Sequence, residues 1–186
     1  MSVRTEQSHA QPRRFFTAAT LKRIRLFATD VDGVMTDGGL YYSDSGEQAK
    51  KFHAWDGLGL ELLRKAGLVT ALVTLDETHL VPVRAAKLGI VEVHQGVLDK
   101  LATLKMLSVK YEIGLDEMAY VGDDLTDVPA LRAVGFSATP ADGRAQVRET
   151  VQYVCTAKGG EGAVREVADM ILSALDFHHD TCQPGP

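Results

Sequence analysis

Residues 26–33 read Leu26-Phe27-Ala28-Thr29-Asp30-Val31-Asp32-Gly33, an apolar run that ends in two aspartates one residue apart and a glycine. If Leu26–Thr29 is extended, its side chains alternate between faces, so Asp30 and Asp32 point the same way as the strand gives out. Two carboxylates in one site repel each other unless a cation offsets them or one holds a proton. The pair therefore implies either a hard cation such as Mg2+ or a division of labour between nucleophile and acid. Asp and Gly are also ordinary turn residues, and this stretch alone does not separate chemistry from a plain turn. A second short apolar run, Met118–Val121, supplies the separation, because it too ends in acids: Gly122-Asp123-Asp124-Leu125-Thr126-Asp127. Two such strand ends can converge on one ion.

Elsewhere, apolar runs at 24–29, 69–74, 91–94, 118–121, 135–138 and 153–155 predict strands. Helical patterns at 59–66, 78–88, 100–111, 128–134 and 143–149 fall between them, with Gly67 and Gly89 as stops. This alternation predicts an α/β fold, a doubly wound parallel sheet of Rossmann-like type with helices on both faces. Ligands of such sheets bind where the strand order reverses. Residues 40–47 predict a β-hairpin insertion turning around Asp44–Gly46, and the spacing leaves no room for a separate cap domain. The expected organisation is a flexible tail over 1–19, one domain over 20–175 and a second tail over 176–186.

A chain of 186 residues with 45% apolar composition suits a single globular domain. No apolar run reaches membrane-spanning length, and the polar stretch 1–14 lacks the apolar segment of a signal peptide. A formal charge of -5 without a basic run argues against nucleic acid as a partner. Cys155 and Cys182 make no disulfide framework, which fits a cytoplasmic protein.

Asp30-Val31-Asp32-Gly33-Val34, Thr36-Asp37-Gly38-Gly39, Lys51-Phe52, Asp56-Gly57, Gln95-Gly96 with Asp99-Lys100, Gly122-Asp123-Asp124 and the segment 159–166 together form a pattern. It resembles the haloacid dehalogenase superfamily of aspartyl phosphatases. Within that superfamily it is similar to the small tetrameric phosphatases of keto sugar acids, which act on 3-deoxy-D-manno-octulosonate 8-phosphate (KDO 8-phosphate) or 2-keto-3-deoxynononate (KDN) 9-phosphate. The likeness spans residues 22–175.

The resemblance implies roles. Asp30 is the nucleophile that forms an aspartyl-phosphate, and Asp32 is the general acid and then base. Mg2+ sits on Asp30, the backbone carbonyl of Asp32, and Asp123. Lys100, opening a predicted helix, neutralises phosphate oxygens, and Thr74 holds one of them. Asp124 and Asp127 stand behind these groups and orient Lys100 or the metal's waters, with helix capping an equal alternative for Asp127. Asp56, Gly160 and Arg165 are carried over as substrate contacts, the last two in a C-terminal segment that closes near the site. The hairpin, with Leu40, Tyr41, Tyr42 and Phe52, packs on neighbouring chains of a homotetramer, which cover a site that lacks its own cap.

One departure bears on substrate. Octulosonate phosphatases follow the threonine with glycine and arginine, whereas Thr74 is followed by Leu75 and Asp76. Exchanging an arginine for a carboxylate reverses what the position attracts. Nononate phosphatases carry an acid there and an arginine and lysine on the next helix, matched by Asp76, Arg84 and Lys87. The expectation is a Mg2+-dependent phosphatase of a keto sugar acid phosphate, KDO 8-phosphate first, with KDN 9-phosphate or sialic acid 9-phosphate as the alternative. A non-catalytic binding module, or a receiver-type domain that needs no Asp32, stands as the reading of another class.

Overall fold

β1 (Leu26–Thr29) lies inside a six-stranded parallel sheet with the order β5-β4-β1-β6-β7-β8. The other strands are β4 (Val69–Val73), β5 (Glu92–His94), β6 (Met118–Val121), β7 (Phe136–Thr139) and β8 (Tyr153–Val154), while β2 (Tyr41–Ser43) and β3 (Gly46–Ala49) form a separate hairpin. The computed structural model describes residues 15–44 and 46–177. The expected tail segments 1–14 and 178–186, with Cys182, lie outside the described residues.

From β1 the chain winds outward through β4 and β5, then crosses to β6 and winds the other way, so the order reverses between β1 and β6. Thr29 is level with both Leu72 and Val121, which places the next residues of β1 and β6 side by side. All residues of β1, β6 and β7 are buried, the pattern of strands covered on both faces.

Phe27, Leu72, Ala119, Val121 and Phe136 share one core with α1 (Ala18–Lys22), α2 (Ala54–Lys65), α3 (Leu80–Leu88) and α7 (Ala163–Ala174). Leu26, Ala28, Ala71, Val73, Met118 and Tyr120 share the other with α4 (Lys100–Tyr111), α5 (Val128–Ala133) and α6 (Ala145–Thr150). Alternation carries Asp30 onto the side of Leu26 and Ala28, the face on which α4 packs.

Two helices escape the sequence pattern. α7 buries Val164, Val167, Ala168, Ile171 and Leu172 at helical spacing against α2. α1 is capped by Thr17 in a capping box with Thr20, and Phe16 ahead of it packs on Phe136 and Tyr153 with ring centroids 4.8 and 6.0 Å away. The folded unit therefore begins before residue 20, inside the stretch expected to be a tail, because Phe16 has an aromatic partner to bury against. At the other end Phe177 packs against the core.

α2 starts at Ala54, five residues ahead of the expected 59, with the His53 side chain accepting from Trp55 N. Gly59, the expected first residue of this helix, lies inside it and serves packing: a Cβ there would lie 3.1 Å from Ala168 Cβ and 3.2 Å from Arg165 Cα, so glycine lets α2 and α7 approach closely.

The hairpin stands off the main sheet, and a Thr36–Phe52 bridge closes its base. Its Leu40, Tyr41 and Tyr42 are exposed. Among the described residues no helix is long and apolar enough to cross a membrane.

Candidate active site

The strand ends of β1 and β6 meet at the point where the sheet order reverses, held together there by Asp30 N donating to Val121 O at 2.9 Å. Asp30, the residue after β1, is buried. Its Oδ1 accepts from Val31 N at 2.7 Å, and its Oδ2 meets Lys100 Nζ at 2.5 Å. Lys100 is the first residue of α4, capped by Asp99, so a buried ammonium is added to the positive end of a helix.

Asp127 holds that ammonium from the far side, with Oδ1 2.6 Å from Lys100 Nζ. The same oxygen accepts from Tyr120 OH at 2.7 Å, and Oδ2 accepts from the amides of Asp123 (3.0 Å) and Asp124 (3.1 Å). It makes no capping bond to α5, so its side chain serves Lys100 and the acidic loop.

Carboxylate oxygens of Asp30, Asp123 and Asp127 lie within 4.8 Å of one another. Burial, followed by the Asp127 charge, pushes Asp30 up to about 6 against the pull of Lys100. Burial and the charges of Asp30 and Asp127 push Asp123 up to about 7. Three acids around one ammonium leave a surplus of negative charge among oxygen-only donors. That set fits a hard divalent cation better than a soft one. Asp127 is saturated by four donors, which leaves Asp30 and Asp123 as the side chains suited to hold the ion.

Asp32 faces another way. Its Oδ1 lies 2.8 Å from Lys50 Nζ and 3.3 Å from the Thr36 hydroxyl. Lys50 also lies 3.6 Å from Asp76 Oδ2, and its side chain is fully buried. Sequence reasoning passed over Lys50 for its neighbour Lys51, which pairs with Asp37 at the surface. Parity was the available signal, since Lys50 shares a face with Phe52, the residue bridged to Thr36 in the turn after β1, while Lys51 takes the opposite one.

A cavity of about 460 Å³ brings together Asp30, Asp32, Lys50, Thr74, Asp76, Lys100, Asp123 and Asp124, with Leu40, Tyr42 and Leu75 adding apolar wall. Thr74 Oγ1 accepts from Asp76 N at 3.1 Å, and the Asp76 carboxylate is held by the Thr78 amide (3.2 Å) and hydroxyl (2.6 Å). Asp124 caps the turn after β6 through Leu125 N at 2.7 Å and lies 3.7 Å from Arg144, at the rim and away from Lys100.

The remaining expected residues lie outside this cavity. Asp56 is buried beneath α7, where its Oδ1 accepts from Arg165 N at 2.8 Å; burial raises its pKa. Arg165 itself pairs with Asp169 at 2.7 Å. Arg84 lies over the Phe52 ring, 5.5 Å from its centroid, and Lys87 is exposed on α3. Gly160 donates its amide to Val34 O at 3.0 Å and rests on the backbone of Thr36 and Asp37. The 159–162 loop thus braces the turn that carries Asp32. Gly159 has no room for a side chain, because a Cβ would overlap Gly33 O. Gly159→Ala is expected to destabilise by about 1–3 kcal/mol, the usual cost of overpacking. Calorimetry should show this as a Tm lower by roughly 2–4 °C per kcal/mol.

Comparison with known proteins places this geometry. The sequence profile of the haloacid dehalogenase-like hydrolases matches residues 74–167. The 3-deoxy-D-manno-octulosonate 8-phosphate phosphatase of Yersinia pestis is 41% identical over 153 residues, covering 82% of each chain. The crystal structure of the corresponding phosphatase from Moraxella catarrhalis, in complex with magnesium ion, phosphate ion and KDO, superposes with a TM-score of 0.85 at 41% identity, over 89% of this chain and 97% of that one. The cobalt-bound form from Haemophilus influenzae superposes with a TM-score of 0.82 at 39% identity, over 84% and 92%. With two acidic strand ends meeting over a buried lysine, and these likenesses running along most of its length, the chain belongs to the haloacid dehalogenase-like hydrolases.

Proposed function

We propose that this protein is a Mg2+-dependent phosphatase of a keto sugar acid phosphate, with KDO 8-phosphate as its first substrate. One observation carries the reading: Asp30, Asp32, Asp123 and Lys100 line a single cavity at the reversal of the sheet, in a chain about 40% identical to phosphatases of that ester. Asp76 in the cavity wall favours KDN 9-phosphate as the second reading.

Asp30 attacks phosphorus, the phosphorus bond to the sugar oxygen breaks, and Asp32 gives that oxygen a proton. A water then attacks the aspartyl-phosphate while Asp32 takes its proton, which releases phosphate and restores both carboxyl groups. Lys100 holds Asp30 in place and offsets charge on the phosphoryl oxygens. Mg2+, when bound, supplies further neutralisation, with Asp30, Asp123 and the Asp32 carbonyl as its holders. The exposed Leu40, Tyr41 and Tyr42 support assembly into a homotetramer through the hairpin.

The test is phosphate release with Mg2+ from KDO 8-phosphate, KDN 9-phosphate, N-acetylneuraminate 9-phosphate and hexose phosphates. A strong preference for one sugar acid is expected, and chelation of the metal should abolish it. Folded protein that releases phosphate from none of them would overturn the reading.

A further inference from the structure

Lys50 has no part in the reaction as proposed, yet it is the second cation of the cavity and its side chain is fully buried there. Lys100 is committed to Asp30 and Asp127 at 2.5 and 2.6 Å. Lys50 instead leaves the hairpin, reaches Asp32 Oδ1 at 2.8 Å and comes within 3.6 Å of Asp76 Oδ2. Asp76 is in turn fixed by both the amide and the hydroxyl of Thr78, so it is a rigid anchor. A long lysine stem costs on the order of 1.5–2 kcal/mol of rotamer entropy to immobilise, and two carboxylates on rigid turns offset that cost.

We infer that Lys50 is a positioning residue for Asp32, tethered for that task by Asp76; the inference rests on the phosphatase reading above. A protonated carboxyl group carries its hydrogen on one oxygen and accepts mainly through the other. Oδ1 of Asp32 accepts from Lys50 and lies within reach of the Thr36 hydroxyl, which makes it the carbonyl oxygen and leaves the proton on Oδ2. The acid that reaches the leaving oxygen is then held in one orientation. This also gives Asp76 a purpose where the octulosonate phosphatases have arginine: it holds a protein cation instead of a substrate anion.

The experiment is a series of aryl phosphates of graded leaving-group pKa, with kcat/KM measured for each, because that constant stops at the first phosphoryl transfer and involves no sugar carboxylate. Poor leaving groups need the proton and good ones do not. Lys50→Met should lose about 10²-fold for the poorest leaving group while staying within about threefold for p-nitrophenyl phosphate, the size of a general-acid contribution. Lys50→Arg should restore much of the shallow dependence. Asp76→Asn, which keeps Lys50 and Asp32, should steepen it in the same sense by a smaller factor, and it decides the question if Lys50→Met fails to fold. A uniform loss across the series in Lys50→Met or Asp76→Asn would overturn the inference and leave the phosphatase standing. Asp32→Asn is the control: a dependence no steeper than wild type there would overturn the acid role of Asp32, and with it the reading on which the inference rests.

Discussion

Asp30→Asn should abolish turnover, lowering kcat at least about 10⁴-fold, while the metal-free protein unfolds at the same temperature or higher. On the mechanism proposed above, the first part is the cost of removing a nucleophile that works as one member of a set. Asn keeps the shape and can still accept from Val31 N, but it cannot form the acyl phosphate. The second part follows from the electrostatics. Burial and the Asp127 charge raise Asp30 to about 6 despite Lys100, so ionising it costs the folded state stability. For a group raised on folding, the favourable contribution is complete below the ordinary carboxylate range and disappears as pH rises through about 6. Above that, the wild type carries a charge that Asn lacks, and the Tm of the variant should change less between pH 4 and pH 8. Thermal melts in chelator across that range, with kcat on the best sugar phosphate, check both parts. Residual activity above one part in a hundred would remove Asp30 from the chemistry. A variant that melts well below wild type at pH 8 would mean that the Lys100 pair outweighs burial.

The parts of this protein legible in its sequence are those where one physical demand dominates. β1 and β6 are covered on both faces, so they read as unbroken apolar runs, and the acids that end them mark the reversal of the sheet. That reasoning points to Asp30 and Asp123 as the acids at the two strand ends, while Lys100 rests on the family resemblance. Other positions answer to neighbours distant in sequence. Asp56 looks like a substrate contact in a list of motifs, but the amide it needs belongs to Arg165, 109 residues away. Arg84 and Lys87 sit three apart, as a substrate clamp would, yet the buried stripe of α3 runs through Val81 and Ala85, so one residue turns onto Phe52 and the other to solvent. α7 has a clear apolar spacing, but it follows Gly159-Gly160-Glu161-Gly162, whose composition reads as loop. Lys50 is legible only through its parity with Phe52, because the hairpin lies off the main sheet and its own strands say nothing of what that face meets.

Lys100→Met should be the most damaging single change for stability. Methionine matches the lysine stem in volume, so the variant isolates the loss of charge from the loss of packing. In the wild type burial works against the ammonium, but Asp30 and Asp127 outweigh it and the Lys100 pKa is raised, so the lysine stays charged. Removing one partner of a buried pair typically costs about 3–5 kcal/mol, because the remaining charges are left uncompensated. For a protein of this size that corresponds to a Tm lower by roughly 10 °C. Asp127 keeps Tyr120 and two amides, so the loss falls mainly on Asp30 and Asp123, which burial and mutual repulsion already raise. Without the ammonium those two rise further. The deficit should therefore be largest above pH 7, where the folded protein must ionise them, and should shrink as pH falls and they take up protons. Mg2+ should recover part of the Tm by binding the same acids, yet it should not recover turnover, since Asp30 loses the contact that orients it and the phosphoryl oxygens lose their cation. A Tm within a degree or two of wild type at pH 8 would mean that the three acids tolerate one another without Lys100, and the surplus negative charge that argues for a metal at this site would lose its force.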